Sequence, residues 1–185
     1  MGTHPTRSAA GAHQASGLTL IEMTITLTVT AVLLGMAVSS FEQARKRRQL
    51  DGVAAQLGTD LQLARSLAVA QNDVLRMSFH AADQASCYVI HTGKPGACTC
   101  AAEGNADCQP GSRAFRAVRL QGPGQPKLLS NAKSIAFEPT SGTVTPTATM
   151  RVRFDDGPAI HLVINVMGRI RACAAAPGLP GHVTC

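Results

Sequence analysis

The sequence has no tryptophan, one tyrosine (Tyr88) and five phenylalanines, so aromatic side chains make up only 3% of its 185 residues. Proteins that hold single-stranded nucleic acid commonly stack bases on aromatic rings, and this chain offers few such platforms. A nucleic-acid partner would have to be gripped through its backbone. Proline is missing between Pro5 and Pro95, and cysteine is missing before Cys87. The front of the chain is therefore free to form a long helix, while the back holds the turn formers. No phosphate-binding glycine loop, no G-x-S-x-G and no H-E-x-x-H string is present. The six histidines are scattered. His161 is expected on an outer sheet face and His80 at a strand end, neither beside an acid that would tune it. Nothing here calls for an enzyme or a cofactor.

What is present bounds the architecture. A mass of 19.2 kDa and a hydrophobic content of 45% suffice for one ordinary domain with an appendage. The formal charge of +6 and pI of about 9.3 suit a partner bearing phosphates or acidic lipid. Cys87, Cys98, Cys100, Cys108, Cys173 and Cys185 are an even set in a turn-rich half, which favours disulfides and an oxidising compartment. Cys98-Thr99-Cys100 lacks the two-residue spacing usual for structural zinc, so no metal site is expected.

Residues 1–17 are small and polar, carry Arg7 and no acid, and suit a cytoplasmic leader outside the fold. Residues 18–38 read LTLIEMTITLTVTAVLLGMAV. As a helix this run is long enough to cross a hydrocarbon core of roughly 30 Å. A secretory signal cut near 37–39 and a plain membrane anchor both fit that length. Neither accounts for Glu22, because a carboxylate inside a membrane costs roughly 2.5–3.5 kcal/mol at the centre on insertion scales and calls for a partner.

The string Gly17-Leu18-Thr19-Leu20-Ile21-Glu22 places a glutamate five residues after a glycine. It resembles the class III signal of type IV pilins and of type II secretion pseudopilins. The resemblance implies that a prepilin peptidase cuts after Gly17 and methylates the new N-terminus at Leu18, where many members have Phe. It also implies a purpose for Glu22: neutralising the freed ammonium of a neighbouring subunit as helices stack, so that neither charge is buried alone. The peptidase, the inner membrane and other pilins or pseudopilins are the partners implied.

Beyond the span, residues 41–71 place Leu50, Val53, Ala54, Leu57, Leu61, Ala64 and Ala68 at three- and four-residue spacing, an amphipathic stripe. One helix over 18–71 is expected, crossing the membrane with residues 18–38. The run Arg45-Lys46-Arg47-Arg48 would by itself put the following domain in the cytoplasm. The cysteines and the leader argue for the periplasm, with the basic run a solvated or headgroup-contacting face. After Gln71 the period changes to two. Leu75, Met77 and Phe79 alternate with Arg76, Ser78 and His80, and strands are expected at 87–92, 115–121, 134–139, 147–154 and 159–170. The fold class is α+β: a long N-terminal helix packed on antiparallel sheet over 72–171, with a tail at 172–185. Within the pilin-like proteins, this size and strand-rich end resemble FimT-type minor pilins and GspH-type pseudopilins.

On the last expected strand, Ile160, Leu162, Ile164, Val166 and Ile170 share one phase. Arg169 and Arg171 would then face solvent together, roughly 6.6 Å apart. If Asp155-Asp156-Gly157-Pro158 closes a hairpin with Phe154 facing Ile160, Arg151 and Arg153 share that outer face. They would not adjoin the second pair, which runs past the paired region. Residues 111–185 hold nine Lys or Arg against three acids, a net +6 that accounts for the whole charge of the chain. That is the electrostatic footprint of a phosphate-backbone partner. Gly168-Arg169-Ile170-Arg171 also resembles the G-R-x-R signature of FimT-type minor pilins, which implies binding of double-stranded DNA in natural transformation. A solvated strand end or a subunit contact would use the same arginines. By the same resemblance Cys173 and Cys185 close the C-terminal loop. Cys87 and Cys108 are then each expected to bond one of Cys98 or Cys100, with the choice open.

Overall fold

The computed structural model describes residues 17, 19–82, 85–101, 104–155, 157–175 and 179–185, the side chains of 36–39 excepted. The expected leader up to residue 16 and Leu18 lie outside the described residues. The chain forms two compact units that divide between Glu42 and Gln43. One helix, α1 (Leu20–Gln71), contributes to both.

In the first unit, Thr19 starts the helix. Its Oγ1 accepts the Glu22 backbone N–H at 3.3 Å, and the spacing Thr19-x-x-Glu22 is that of a capping box. Glu22 thus stands in the first turn, where a carboxylate is favoured by the helix dipole. The hydroxyls of four threonines that follow are not left unpaired. Each donates to a carbonyl one turn back: Thr24 to Ile21, Thr26 to Met23, Thr28 to Thr24 and Thr30 to Thr26, at 2.7–3.0 Å. An 18-residue window of this helix has a mean hydropathy of 1.9 and none of it is buried. By length and composition, α1 can cross a membrane.

The second unit is helix on sheet. Eleven strands are described: β1 (Leu75–Ala82), β2 (Ala85–Thr92), β3 (Cys98–Cys100), β4 (Ala106–Cys108), β5 (Ala114–Gln121), β6 (Lys127–Ser130), β7 (Ser134–Phe137), β8 (Val144–Thr145), β9 (Ala148–Arg153), β10 (Ala159–Ile164) and β11 (Ile170–Ala174). They form a five-stranded sheet β5-β2-β1-β7-β8, a four-stranded sheet β11-β10-β9-β6 and a small ribbon β3-β4. All of their ladders are antiparallel.

The stripe of α1 is the seam of the core. Leu50, Ala54, Leu57, Leu61, Ala64 and Ala68 are buried among Met77, Tyr88, Ile90 and Phe137 of the larger sheet and Met150, Val152, Ile160 and Leu162 of the smaller. Ser86 Oγ on β2 accepts the Leu128 N–H of β6 at 2.8 Å, a buried link between the two sheets. Asp60 on α1, 2% exposed, accepts the Tyr88 hydroxyl at 2.6 Å and lies 2.9 Å from Arg116 Nε. Burial, and then the hydrogen bond to Asp60, raises the Tyr88 pKa, so the phenol stays a donor.

Disulfides pair Cys87 with Cys100, Cys98 with Cys108 and Cys173 with Cys185. The first pins the ribbon onto β2, the second ties β3 to β4 directly opposite each other, and the third fastens the tail. With all six sulfurs bonded, no thiolate remains to hold a metal.

Two expectations are corrected. Residues 159–170 are not one strand: β10 ends at Ile164, the chain reverses, and β11 returns beside it. The Gly168 N–H bonds the Asn165 carbonyl at 2.9 Å, the Asn165 N–H bonds the Arg169 carbonyl, and the Asn165 side chain accepts the Arg169 N–H. Gly168 has φ 73°, the left-handed conformation that a three-residue hairpin loop needs after a type I turn. Val166, expected inside, is at the tip and 50% exposed. The other correction concerns register. Arg153 pairs with Ala159 and Val152 with Ile160, so Val152 rather than Phe154 faces Ile160.

Candidate functional site

The hairpin reversal changes where the arginines stand. Arg171 is inside the paired region, opposite Val163, and Val163 is in turn opposite Thr149. One step along the same face, His161 lies between Arg151 and Cys173, and one step further Ala159 is opposite Arg153, which is opposite Lys127. Arg151 and Arg171 are therefore two strands apart and one alternation offset, roughly 12 Å between Cα atoms at ordinary strand spacing. Arg169 runs past the paired region as expected, but Arg171 does not: β11 folds back and puts it across β10 from the Arg151 strand, so the two pairs stay apart with their nearest members roughly 12 Å from each other. Arg169 ends the hairpin loop and is exposed, as are Arg151, Arg153 and Arg171.

Partners separate these four from most of the other basic residues of 111–185; Lys133 is likewise exposed with no side-chain partner among the described residues. Arg116 is held by Asp60, and Lys127 by Asp155 at 2.7 Å. Arg119 Nη1 donates to the Ala101 carbonyl, and Arg113 lies 4.5 Å from the Phe115 ring centroid while donating to Gln71. Arg151, Arg153, Arg169 and Arg171 have no ion pair and no side-chain hydrogen bond among the described residues. Their guanidinium groups are available to a ligand, each with a rigid fork of donors suited to phosphate or carboxylate oxygens. His161 adds no charge at neutral pH: burial, and then the charge of Arg151, holds it below the ordinary histidine value.

Gly168, the first residue of the G-R-x-R string, is buried and has a structural task. An added Cβ would stand 3.0 Å from Arg65 Nε and 3.1 Å from the Gly142 carbonyl oxygen. The glycine makes the turn that presents Arg169 and Arg171; it is not itself a contact surface. β11 is the edge of its sheet, and the tail secures that edge. The Cys173–Cys185 bridge, the Ala174 N–H to Val183 carbonyl bond at 2.8 Å and the Cys185 N–H to Ala174 carbonyl bond at 3.0 Å hold it there. His182 Nε2 reaches Asp51 Oδ1 of α1 at 2.9 Å. Arg171 thus sits on a fastened edge, with Arg169 just ahead of it.

Gly17 is exposed just ahead of α1, and Glu22 is exposed on its first turn. Sequence reasoning does not find Arg65, the Asp60–Tyr88–Arg116 set, or the fully buried His91, whose Nε2 is 2.8 Å from Ser78 Oγ and whose Nδ1 is 2.8 Å from the Thr92 carbonyl. Only the Thr19-x-x-Glu22 and Asn165-x-x-Gly168 spacings carry a local signal for features that periodicity misses.

A family model described as type II transport protein GspH matches residues 53–168, 116 of the 185 residues. No curated protein and no solved structure matches the chain. The matched span includes α1 from Val53 onward and the strands through β10, and ends at Gly168, before Arg169 and Arg171. The chain belongs to the GspH family of pilin-like pseudopilins, a structural family, and its long helix packed on antiparallel sheet is a pilin-like fold.

Proposed function

We propose that this GspH-family protein is a minor pilin-type subunit that binds double-stranded DNA without sequence preference and serves DNA uptake in natural transformation. The single observation that carries the reading is the set of four exposed guanidinium groups with no partner among the described residues: Arg151, Arg153 and Arg171 on one side of the β9–β10–β11 sheet, and Arg169 in the hairpin loop next to it. Cations left free and held on a rigid sheet are what a phosphate backbone recognises. The apolar part of α1 supplies a single-pass anchor in the inner membrane, with the domain in the periplasm before entry into a pilus. Prepilin peptidase acts after Gly17, Leu18 becomes the methylated N-terminus, and Glu22 neutralises that ammonium in the neighbouring subunit.

The family match favours a second reading, a secretion pseudopilin or priming subunit in which the arginines touch no DNA. A salt-titrated mobility-shift assay on the oxidised full chain in detergent separates the two. Arg169→Gln with Arg171→Gln is expected to abolish the shift without changing the melting temperature. For either single variant, removing one phosphate-binding guanidinium flattens the slope of log K against log salt by about 0.9. Binding by the double variant equal to that of the parent removes these arginines from the site. A parent that ignores duplex at low salt leaves the second reading.

A further inference from the structure

A cleft of about 830 Å³ opens between the Gln62–Ala70 segment of α1, the 140–142 turn and the β10–β11 hairpin loop, away from the strand face carrying Arg151 and Arg153. Arg65 is fixed in its wall. Its Nε donates to the Gly142 carbonyl at 2.9 Å, and an ideal Cβ at Gly142 would stand only 2.8 Å from that nitrogen. Gly142 (φ 62°) and Gly168 (φ 73°) both have left-handed backbones, so two glycine turns let the guanidinium settle against main chain. The terminal amino groups of Arg65 have no acceptor among the described residues. An arginine held by one nitrogen with two amino groups unused is a pre-organised fork for a pair of oxygens, because its ordering cost is already met in the free protein.

The rest of the lining decides which oxygens. Val69 (52% exposed), Met167 (65% exposed) and Ile170 form an apolar side, and Gln62, Ser66 and Arg169 complete the rim. A sugar-phosphate backbone offers Val69 and Met167 only its sugar carbons, far less apolar surface than a branched aliphatic side chain. A polypeptide carrying a carboxylate next to an aliphatic side chain satisfies both sides of the cleft, the charge by Arg65 and the apolar area by burial. We infer that this cleft docks a peptide segment of a partner subunit in which an acidic residue adjoins apolar ones. Arg169 borders both basic surfaces, whereas Arg65 lines the cleft alone and Arg171 the sheet face alone, so these two residues tell the uses apart.

The test uses the oxidised full chain in detergent, immobilised and presented with a displayed random-peptide library. Enriched peptides are expected to share Asp or Glu beside Leu, Ile, Val or Met. Their affinity should fall at least about tenfold on Arg65→Gln, or when the peptide acid becomes its amide, as for loss of a charge-assisted hydrogen bond. Met167→Ser should weaken them by a smaller factor, and Arg171→Gln should leave them unchanged. Both cleft variants alter exposed side chains, and an unchanged melting temperature confirms that they fold. Failure to enrich peptides, enrichment without acids, indifference to Arg65→Gln, or displacement by short duplex DNA each overturns the proposal. The last outcome would make the cleft a nucleic-acid site. Loss of DNA binding by Arg171→Gln bears only on the sheet face.

Discussion

From Leu20 to Gly35 every side chain of α1 is exposed, whereas from Leu50 onward the same helix buries a residue on nearly every turn. The two stretches share one secondary structure and differ in what stabilises it. The front has good capping at Thr19 and folded-back threonine hydroxyls, but no core of its own. A lone helix rich in β-branched residues is weak in water, so its order must come from the solvent or neighbours around it. The rear carries a shared core, a buried Asp60–Tyr88–Arg116 set and three disulfides. Substitutions should therefore fall into two classes, those that melt the domain and those that affect only what the helix does in a membrane or filament.

That division can be attacked at four points, ranked by how strongly each should perturb the rear unit. Reducing the disulfides is expected to cost most, each bridge contributing about 2–4 kcal/mol to unfolding. Denaturant melts with and without reductant measure it, and an unchanged midpoint would show that the core alone suffices. Asp60→Ala strands the Tyr88 hydroxyl in the core and should cost about 3 kcal/mol, near the low end for a broken buried pair because Arg116 is still 43% exposed. Equal stability in urea would remove the carboxylate from the account.

A smaller effect follows from His91. Burial holds its pKa below the ordinary 6.5, so the native state binds fewer protons than the unfolded chain. Its contribution is complete above pH 6.5 and is lost as pH falls through the native value. Melts across that window should show a decline that His91→Gln reduces, leaving the part due to His161, and a flat profile for the parent would contradict the buried neutral ring. The smallest effect on the rear is at Glu22. Glu22→Gln keeps the side-chain shape and the backbone bond to Thr19 Oγ1 and removes the charge. Domain stability and membrane insertion should not change while incorporation into filaments is lost, as read by fractionating sheared filaments from membranes. Normal incorporation would reduce Glu22 to a helix cap.

Much of the rear is legible in the sequence because its physics is periodic. The Leu50-to-Ala68 stripe and the Met150, Val152, Ile160 and Leu162 alternation follow from spacing and are buried as spacing dictates. The β10–β11 hairpin is misread for the same reason: the apolar phase of Ile164, Val166 and Ile170 continues through the loop, so periodicity alone sees one strand. Asn165-x-x-Gly168 is the local signal for the turn. The ribbon β3–β4 is three residues a side, too short for any period, and is held by disulfides. Asp60 with Tyr88 and Arg116, and Arg65 with Gly142, join residues far apart in the chain, and no local pattern encodes them.

The two glycines packed against Arg65 bind three distant positions into one evolutionary unit. Where a relative keeps arginine at the position of Arg65, glycine should persist at both turns. Where that side chain has shortened, the turns should drift toward asparagine, which tolerates a left-handed backbone but would otherwise meet the guanidinium. Substitution at the helix position should therefore precede loosening of the turns in any lineage, and a family tree showing the reverse order would mean that the arginine adapted to the turns rather than they to it.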